Sequence, residues 1–339
     1  MSRVAAKRRR RGPVRGAARR YLSRPTNAVA LAVLALVVLS ALLADLLASE
    51  KPLACRLDGE LHVLPTYFSP PELADHDNHS VLEAVRRRGG WAVLPPIPYG
   101  PDQTEVCGRI DLLAAPGAVH PLGTDDAGRD VAARLLHGSR AALLVGVGSM
   151  ALALLLGVLL GSLGAYFGGK LDRLVLFLVE TLSAFPSLFL ILALQAVLGS
   201  DSLLQLVWIL AATRWTDPAR VTRAEVLRIV NEDYVDAARA LGLSHARILR
   251  RHVLPRATGP VLVSAAFGVG GAIIIESVLS FLGFGAPPPT ASWGQLLTDA
   301  LSNEGCYWLM LFPGLALFAT VLSINLVGAG LREAIDAPE

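Results

Sequence analysis

The sequence has few charged residues and few cysteines for its length. Only 17% of its 339 residues are charged, whereas 53% are hydrophobic; average globular proteins have about 25% charged residues. So few charges cannot cover a water-facing surface, which excludes a soluble globular protein, and the apolar content excludes disorder over most of the chain. The three cysteines, Cys55, Cys107 and Cys306, lack the paired spacing of a zinc site or a redox CxxC motif.

Motifs for nucleotide binding and hydrolysis are missing as well. The sequence has no GxxxxGK[ST] loop, no HExxH and no GxSxG. Four histidines of the polar segment before residue 139 are scattered, which favours solvated side chains over a metal site: His62, His76, His79 and His120. We therefore expect no catalytic residue, no cofactor and no metal.

Acidic residues are absent from the first 24 positions, which carry ten Lys or Arg. Such a run is compatible with a nucleic-acid-binding tail or with a cleaved signal peptide. Because it adjoins an apolar stretch of about 20 residues, we favour a cytoplasmic tail (1–26) and a retained membrane helix (27–48). The expected partner of this region is membrane lipid and not nucleic acid.

The sequence is rich in apolar runs long enough to cross a bilayer. They predict an all-α polytopic membrane protein with six transmembrane helices, at 27–48, 139–167, 172–198, 202–222, 258–284 and 306–326. The last five form a core at 139–330. Loops 199–201 and 285–305 contain no Lys or Arg, whereas 214–256 contains nine arginines, so both termini, including 331–339, are expected in the cytoplasm.

Residues 49–138 have a different composition, with many prolines and no membrane-length apolar run. Patches at 61–64 and 91–94 favour strands, which predicts a small strand-containing periplasmic insert followed by a pre-helix segment. A disulfide between Cys55 and Cys107 is possible there, with Cys306 as a competing partner.

Glycine and proline give local expectations within the spans. The GxxxG pairs Gly157–Gly161 and Gly164–Gly168 indicate close helix packing. Pro186 is expected to kink the third span, because it removes a backbone donor.

One cytoplasmic segment, residues 225–256, forms a predicted elbow. Its apolar positions recur at helical spacing over 225–242: Val226, Val230, Tyr234, Ala237 and Leu241. Gly242 is expected to end this helix in a left-handed conformation, Ser244 to cap a second helix over 245–254, and Pro255 to close it. On physics alone, the elbow fits anionic headgroups and a soluble partner equally well.

The elbow also resembles a known family. Asp236-Ala-Ala-Arg-Ala-Leu-Gly242, followed by Val253-Leu254-Pro255, is similar to the EAA loop of bacterial ABC importer permeases, with Asp236 in place of Glu and His252 in place of Ile. Other motifs resemble the second permease subunit of the dipeptide/oligopeptide/nickel branch: 120–130, 276–283, 287–294 and 312–314. The insert is similar to that of oligopeptide and microcin C permeases.

The resemblance implies half of a translocation pathway for di- or oligopeptides across the inner membrane, and no enzymatic activity in this chain. It implies a second permease subunit, two cytoplasmic ABC ATPase subunits that hydrolyse ATP, and a periplasmic substrate-binding protein. The residues that it assigns to the ATPase-coupling loop are Asp236, Ala237, Ala238, Gly242, Ile248, Leu254 and Pro255.

Two carboxylates, Glu180 and Glu276, fall within predicted spans, where a charge costs several kcal/mol. Both are therefore expected to face the bundle interior. A proton relay through either would suggest the alternative function, a proton-coupled secondary transporter. The other interpretation is a carboxylate hydrogen-bonded to small neighbours, and we favour it because Glu276 lies in a motif shared with an ATP-driven system.

Overall fold

The computed structural model describes residues 21, 24–57, 60–68, 77–104, 110–199, 202–285, 287 and 289–336, and these are mostly helical. The helices are α1 (Pro25–Leu42), α2 (Ala44–Leu47), α3 (Pro65–Phe68), α4 (Asn78–Arg88), α5 (Val131–Phe167), α6 (Gly169–Ala184), α7 (Ser187–Leu198), α8 (Leu203–Arg214), α9 (Thr216–Val230), α10 (Asp233–Ala240), α11 (His245–Ile248), α12 (Leu254–Phe281), α13 (Trp293–Ser302) and α14 (Tyr307–Asp336). A π-helical turn, Leu249–Val253, joins α11 to α12. The strands are β1 (Ala54–Leu57), β2 (Glu60–Val63) and β3 (Trp91–Val93).

Within the described residues, four helical stretches are long and apolar enough to cross a membrane: α1, α5, α11 through α12, and α14. The pair α6 and α7 would make a fifth span, but it bends by 88° between its two helices. The helix α8 is apolar, yet its 12 residues are short for a crossing. The polytopic α-helical class is confirmed, and the count of six spans stays a prediction.

The first helix of the predicted five-helix core starts earlier than expected. Asp130 caps α5, since its carboxylate accepts a hydrogen bond from the Ala133 N–H at 2.8 Å. The helix therefore begins at Val131, inside the segment assigned to the insert, and its first turns pack against that segment.

Helix α5 is the centre of the bundle and packs against α6, α8, α9 and α12. Its glycines permit this, as the GxxxG spacing predicts. A Cβ at Gly157 would lie 2.7 Å from the Trp215 carbonyl oxygen, and one at Gly161 would lie 2.5 Å from that of Ala219. The α5–α9 contact is thus a backbone-to-backbone contact.

Pro186 divides the third predicted span into two helices, which is a larger effect than the predicted kink. Phe185 is extended, with ψ at 136°, and Pro186 lies before the first residue of α7. Because proline has no N–H, the helical ladder cannot pass through this point.

The insert contains a three-stranded antiparallel sheet in the order β2-β1-β3. Strands β2 and β3 confirm the two predicted patches, and β1 was not predicted. Cys55 of β1 is buried against Val81 of α4 and forms no disulfide with another described residue. Cys107 lies outside the described residues, as does the basic tail before Tyr21, so the disulfide and the tail stay predictions.

Candidate functional site

The elbow is built from three short helical pieces between α9 and α12. The predicted continuous helix over 225–242 is wrong, because α9 ends at Val230 and α10 begins at Asp233. Asn231 causes the break, since its side-chain amide donates to the Leu227 carbonyl at 2.8 Å and competes with the helical ladder.

Gly242 ends α10 as predicted. Its φ is +74°, and the turn has the two hydrogen bonds of a Schellman motif. The Leu243 N–H donates to the Ala238 carbonyl at 3.2 Å, and the Gly242 N–H donates to that of Arg239 at 2.9 Å. A Cβ on Gly242 would meet no atom within 4 Å. In this chain the backbone conformation therefore requires glycine, and the space beside it is open.

The break at Asn231 changes which residues of the elbow are buried. The predicted apolar face holds only in part. Val226 is buried, and Val230 and Tyr234 are half-buried against the core, but Ala237 and Leu241 are exposed. The other buried residues of this segment are Ile229, Val235 and Ala238. Gly242 divides the elbow into a first arm, which precedes it, and a second arm, which runs from α11 into the start of α12. The elbow's core also contains Ala165 of α5 and residues of the second arm: Ile248, Leu249, Val253 and Ala257. The elbow is thus packed against the end of α5 as one unit.

Pro255 does not close the second arm, contrary to expectation. Proline is tolerated in a first helical turn, where its missing N–H leaves no ladder bond unmade, and α12 continues to Phe281. Immediately before it the backbone widens into the π-helical turn, a form frequent at functional sites. The elbow therefore continues directly into a helix long and apolar enough to cross a membrane.

Polar contacts tie the two arms to each other and to α5. The Tyr234 hydroxyl donates to the His252 carbonyl at 3.4 Å, and the Arg256 guanidinium lies 4.1 Å from the centre of the Tyr234 ring. Arg256 also pairs with Glu232 at 3.2 Å. Tyr166 of α5 shares a 3.0 Å hydrogen bond with His245 at the start of α11. Ser244 occupies the cap position of α11, but its side chain makes no capping hydrogen bond.

The predicted coupling residues divide into two sets on this elbow. Ala238 and Ile248 are buried and Leu254 is half-buried, so they hold the shape. The exposed residues form the elbow's outer surface: Asp236, Ala237, Gly242 and Pro255, with Leu241, which sequence reasoning assigned to the packed face. Beside them is an open depression of about 500 Å³, lined by Ala246, Arg247, Arg250, Arg251 and Pro255. The outer surface is thus an apolar tip beside a cationic patch.

The two intramembrane carboxylates have opposite environments. Glu276 of α12 is fully buried, and its oxygens accept hydrogen bonds from Ser280 and Ser292 at 2.8 Å and from Ser277 at 3.3 Å. This matches the expected carboxylate among small hydroxyl neighbours. Glu180 is exposed on α6, so the expectation that it faces the interior of this chain is wrong. Val175 and Val179 occupy the packed side of that helix instead.

A network of charged and polar side chains, which we call the polar joint, lies at the end of the bundle opposite the elbow. The sequence does not predict it. Arg134 of α5 is 2% exposed, lies 3.4 Å from Asp125 and donates to Gln295 of α13 at 3.2 Å. Asp125 also accepts from Arg129 at 2.7 Å. The joint fixes the pre-helix segment to α13.

The same joint holds three carboxylates close enough to share a cation: Asp125, Asp126 and Asp299. Arg129 lies 3.9 Å from both Asp126 and Asp299, so arginine already supplies positive charge there. Burial, with the nearby Asp126 carboxylate, raises the pKa of Asp299 to about 6. Residues 120–130 resemble a family motif, but no periodic pattern in the sequence predicts this network of charged side chains.

Comparisons with known proteins agree with the fold. A putative peptide transport system permease protein of Brucella suis is 36% identical over 288 residues, covering 80% of this chain and 96% of the relative. The oligopeptide transport system permease protein OppC of Bacillus subtilis is 38% identical over 222 residues, covering 65% of this chain and 72% of that protein.

One solved structure shares the fold of this chain. Its sequence is only 20% identical to this chain, so the comparison supports the fold alone. It is the MetNI methionine ABC transporter in an inward-facing conformation, with a TM-score of 0.50, covering 60% of this chain and 96% of that chain. Residues 153–337, which include the whole elbow, match a family described as "Binding-protein-dependent transport system inner membrane component". The chain belongs to this family of inner-membrane transport components.

Proposed function

We propose that this chain is one of two permease subunits of an ATP-driven importer of di- or oligopeptides, and that its elbow docks on an ATPase subunit. At the level of the family, the chain is a multi-pass inner-membrane permease and a non-enzymatic subunit. Members work with a second permease, ATPases and a binding protein. The proposal that the cargo is a peptide rests on the names of the relatives.

The observation that carries the proposal is the outer surface of the elbow. Leu241 is 82% exposed at the tip, directly before a glycine whose turn is fixed by two backbone hydrogen bonds. An exposed leucine on a rigid turn suits insertion into a protein groove, where a central contact is often worth about 2 kcal/mol or more. Because the elbow runs into α12 without a break, docking there would move a membrane helix.

Orientation is part of the proposal. Arg24, at the start of α1, pairs with Glu333, near the end of α14. A hollow between α9, α12 and α14 is lined by both Glu225 of the elbow and Arg332. The two described ends of the chain and the elbow therefore lie at one end of the bundle. The density of arginine at that end favours the cytoplasm under the positive-inside rule.

The test is Gly242→Asp, which places a side chain on the outer surface and strains the turn. We expect normal membrane insertion, loss of the ATPase subunits on purification, and loss of ATP-dependent peptide uptake.

Gly283→Asp is the matched control. Gly283 follows α12 with a φ of +81° and open space around it. It ends that helix with the same pair of backbone hydrogen bonds as Gly242, at the opposite end of the bundle. It should suffer the same backbone strain and keep the ATPases. If Gly242→Asp retains the ATPases and transports at the wild-type rate, the elbow is not the coupling element.

A further inference from the structure

The bend between α6 and α7 places irregular backbone on an open surface. Residues 183–187, which include the extended Phe185 and Pro186, are all exposed in the chain. A lipid-exposed interruption of a helix leaves backbone polar groups without partners, so such breaks occur only where protein covers them or water reaches them. This face of the chain is therefore not a lipid surface.

Glu180 lies one turn before the bend, on the same open surface. It makes no hydrogen bond or ion pair with any described part of the chain. It is eleven residues after Gly169, the start of α6, or about 16 Å along the helix axis. That depth is near the middle of a hydrocarbon core of roughly 30 Å. An unpaired carboxylate at such a depth must face water or a partner and not lipid.

Two independent features, a charge and a backbone break, thus mark one face of α6 and α7. We propose that this face lines the translocation pathway between the two permease subunits, and that Glu180 binds the ammonium group of the transported peptide. The inference rests on the proposed peptide cargo. Every unmodified linear peptide carries a terminal ammonium, so a single carboxylate suits a pathway that accepts many side chains. Ser183 and Thr181, both exposed beside Glu180, add hydroxyl groups to the same surface.

The first experiment compares Glu180→Gln with Glu180→Asp in the complete importer, using a labelled tripeptide and its binding protein. A charge-assisted contact of this kind is worth about 1.5–3 kcal/mol, which corresponds to a loss of about ten- to a hundredfold. We expect Glu180→Gln to lower the uptake rate by at least about tenfold, with binding-protein-stimulated ATP hydrolysis retained. Glu180→Asp should restore most of the uptake. Glu304→Gln makes the same change at an exposed carboxylate between α13 and α14 and should transport normally.

The second experiment tests the pathway without using substrate. Thr181→Cys, in a chain with Cys55, Cys107 and Cys306 replaced by serine, should react with a water-soluble cationic methanethiosulfonate reagent. Leu155→Cys, on the exposed side of α5, is the matched control and should not react.

Three results would overturn the inference: uptake by Glu180→Gln within twofold of wild type, an unreactive Thr181→Cys, or loss of the second permease from the Glu180→Gln complex. The last would assign Glu180 to an ion pair between subunits. Failure of the wild-type importer to carry any peptide would instead refute the proposed function, and the labelling result would still decide whether this face lines a pathway.

Discussion

Arg134 holds three separate segments together, and its removal gives the sharpest stability prediction. The guanidinium is 2% exposed and lies 3.4 Å from Asp125, 3.9 Å from Asp102 and 3.2 Å from the Gln295 amide oxygen. We therefore expect Arg134→Met, which keeps the volume but removes the charge and donors, to destabilise the protein.

The magnitude follows from what the substitution leaves behind. Removing one partner of a buried ion pair costs about 3–5 kcal/mol when the other charge is left alone. Here Asp125 keeps Arg129, which donates to its Oδ2 at 2.7 Å, and two backbone N–H groups that donate to its Oδ1. The expected loss is therefore lower, about 2–3 kcal/mol, most of it from the lost hydrogen bond to Gln295 and the weaker positive field at Asp125.

Thermal unfolding of the purified protein in detergent measures this loss, with Arg87→Met as the matched control. Arg87 pairs with Glu83 at 3.1 Å, but its side chain is 78% exposed, so its loss should cost less than about 1 kcal/mol. If both variants have the melting temperature of the wild type, the joint does not hold the three segments together.

Three further predictions follow from single features. Asp299→Asn should raise the melting temperature more at pH 7.5 than at pH 5, since burial disfavours the ionised carboxylate. The cost of ionisation, about 1–3 kcal/mol, shrinks as the pH falls below the raised pKa of about 6 and is lost near pH 4. A larger melting shift at pH 5 than at pH 7.5 would contradict this. Gly157→Ala should cost about 1–3 kcal/mol in thermal unfolding because its Cβ meets the backbone of α9, whereas Gly314→Ala, with open space in α14, should be neutral or stabilising; equal effects would refute the close contact. A cysteine at Thr290 should react with an impermeant thiol reagent from outside intact cells and one at Ser244 should not, and the reverse pattern would invert the orientation.

The features that the sequence predicts well depend on local chemistry. Gly242 ends α10 in the expected conformation because few other residues adopt a positive φ. The GxxxG pair at Gly157 packs as expected, since only small residues let two backbones meet. Apolar runs of membrane length likewise predict the helical class.

The features that the sequence does not predict have two causes. One is a helix break that rotates the later residues, and the other is contact between residues that are far apart in the chain. One hydrogen bond from the Asn231 side chain interrupts the helix, and the later positions Ala237 and Leu241 lie away from the packed face, so both are exposed. The joint at Arg134 pairs residues more than 150 positions apart in the chain, Arg134 and Gln295. No spacing within either segment predicts such a contact.

The most direct test of the coupling surface is a cross-link from the elbow's tip in the assembled importer. A photoreactive amino acid at position 241, where Leu241 is 82% exposed, should form an adduct with an ATPase subunit, and its yield should change when ATP is added. The same probe at Leu301, which is 68% exposed on α13, should give no ATPase adduct. Adducts from position 241 to lipid alone, in a complex that contains both ATPases, would contradict the account.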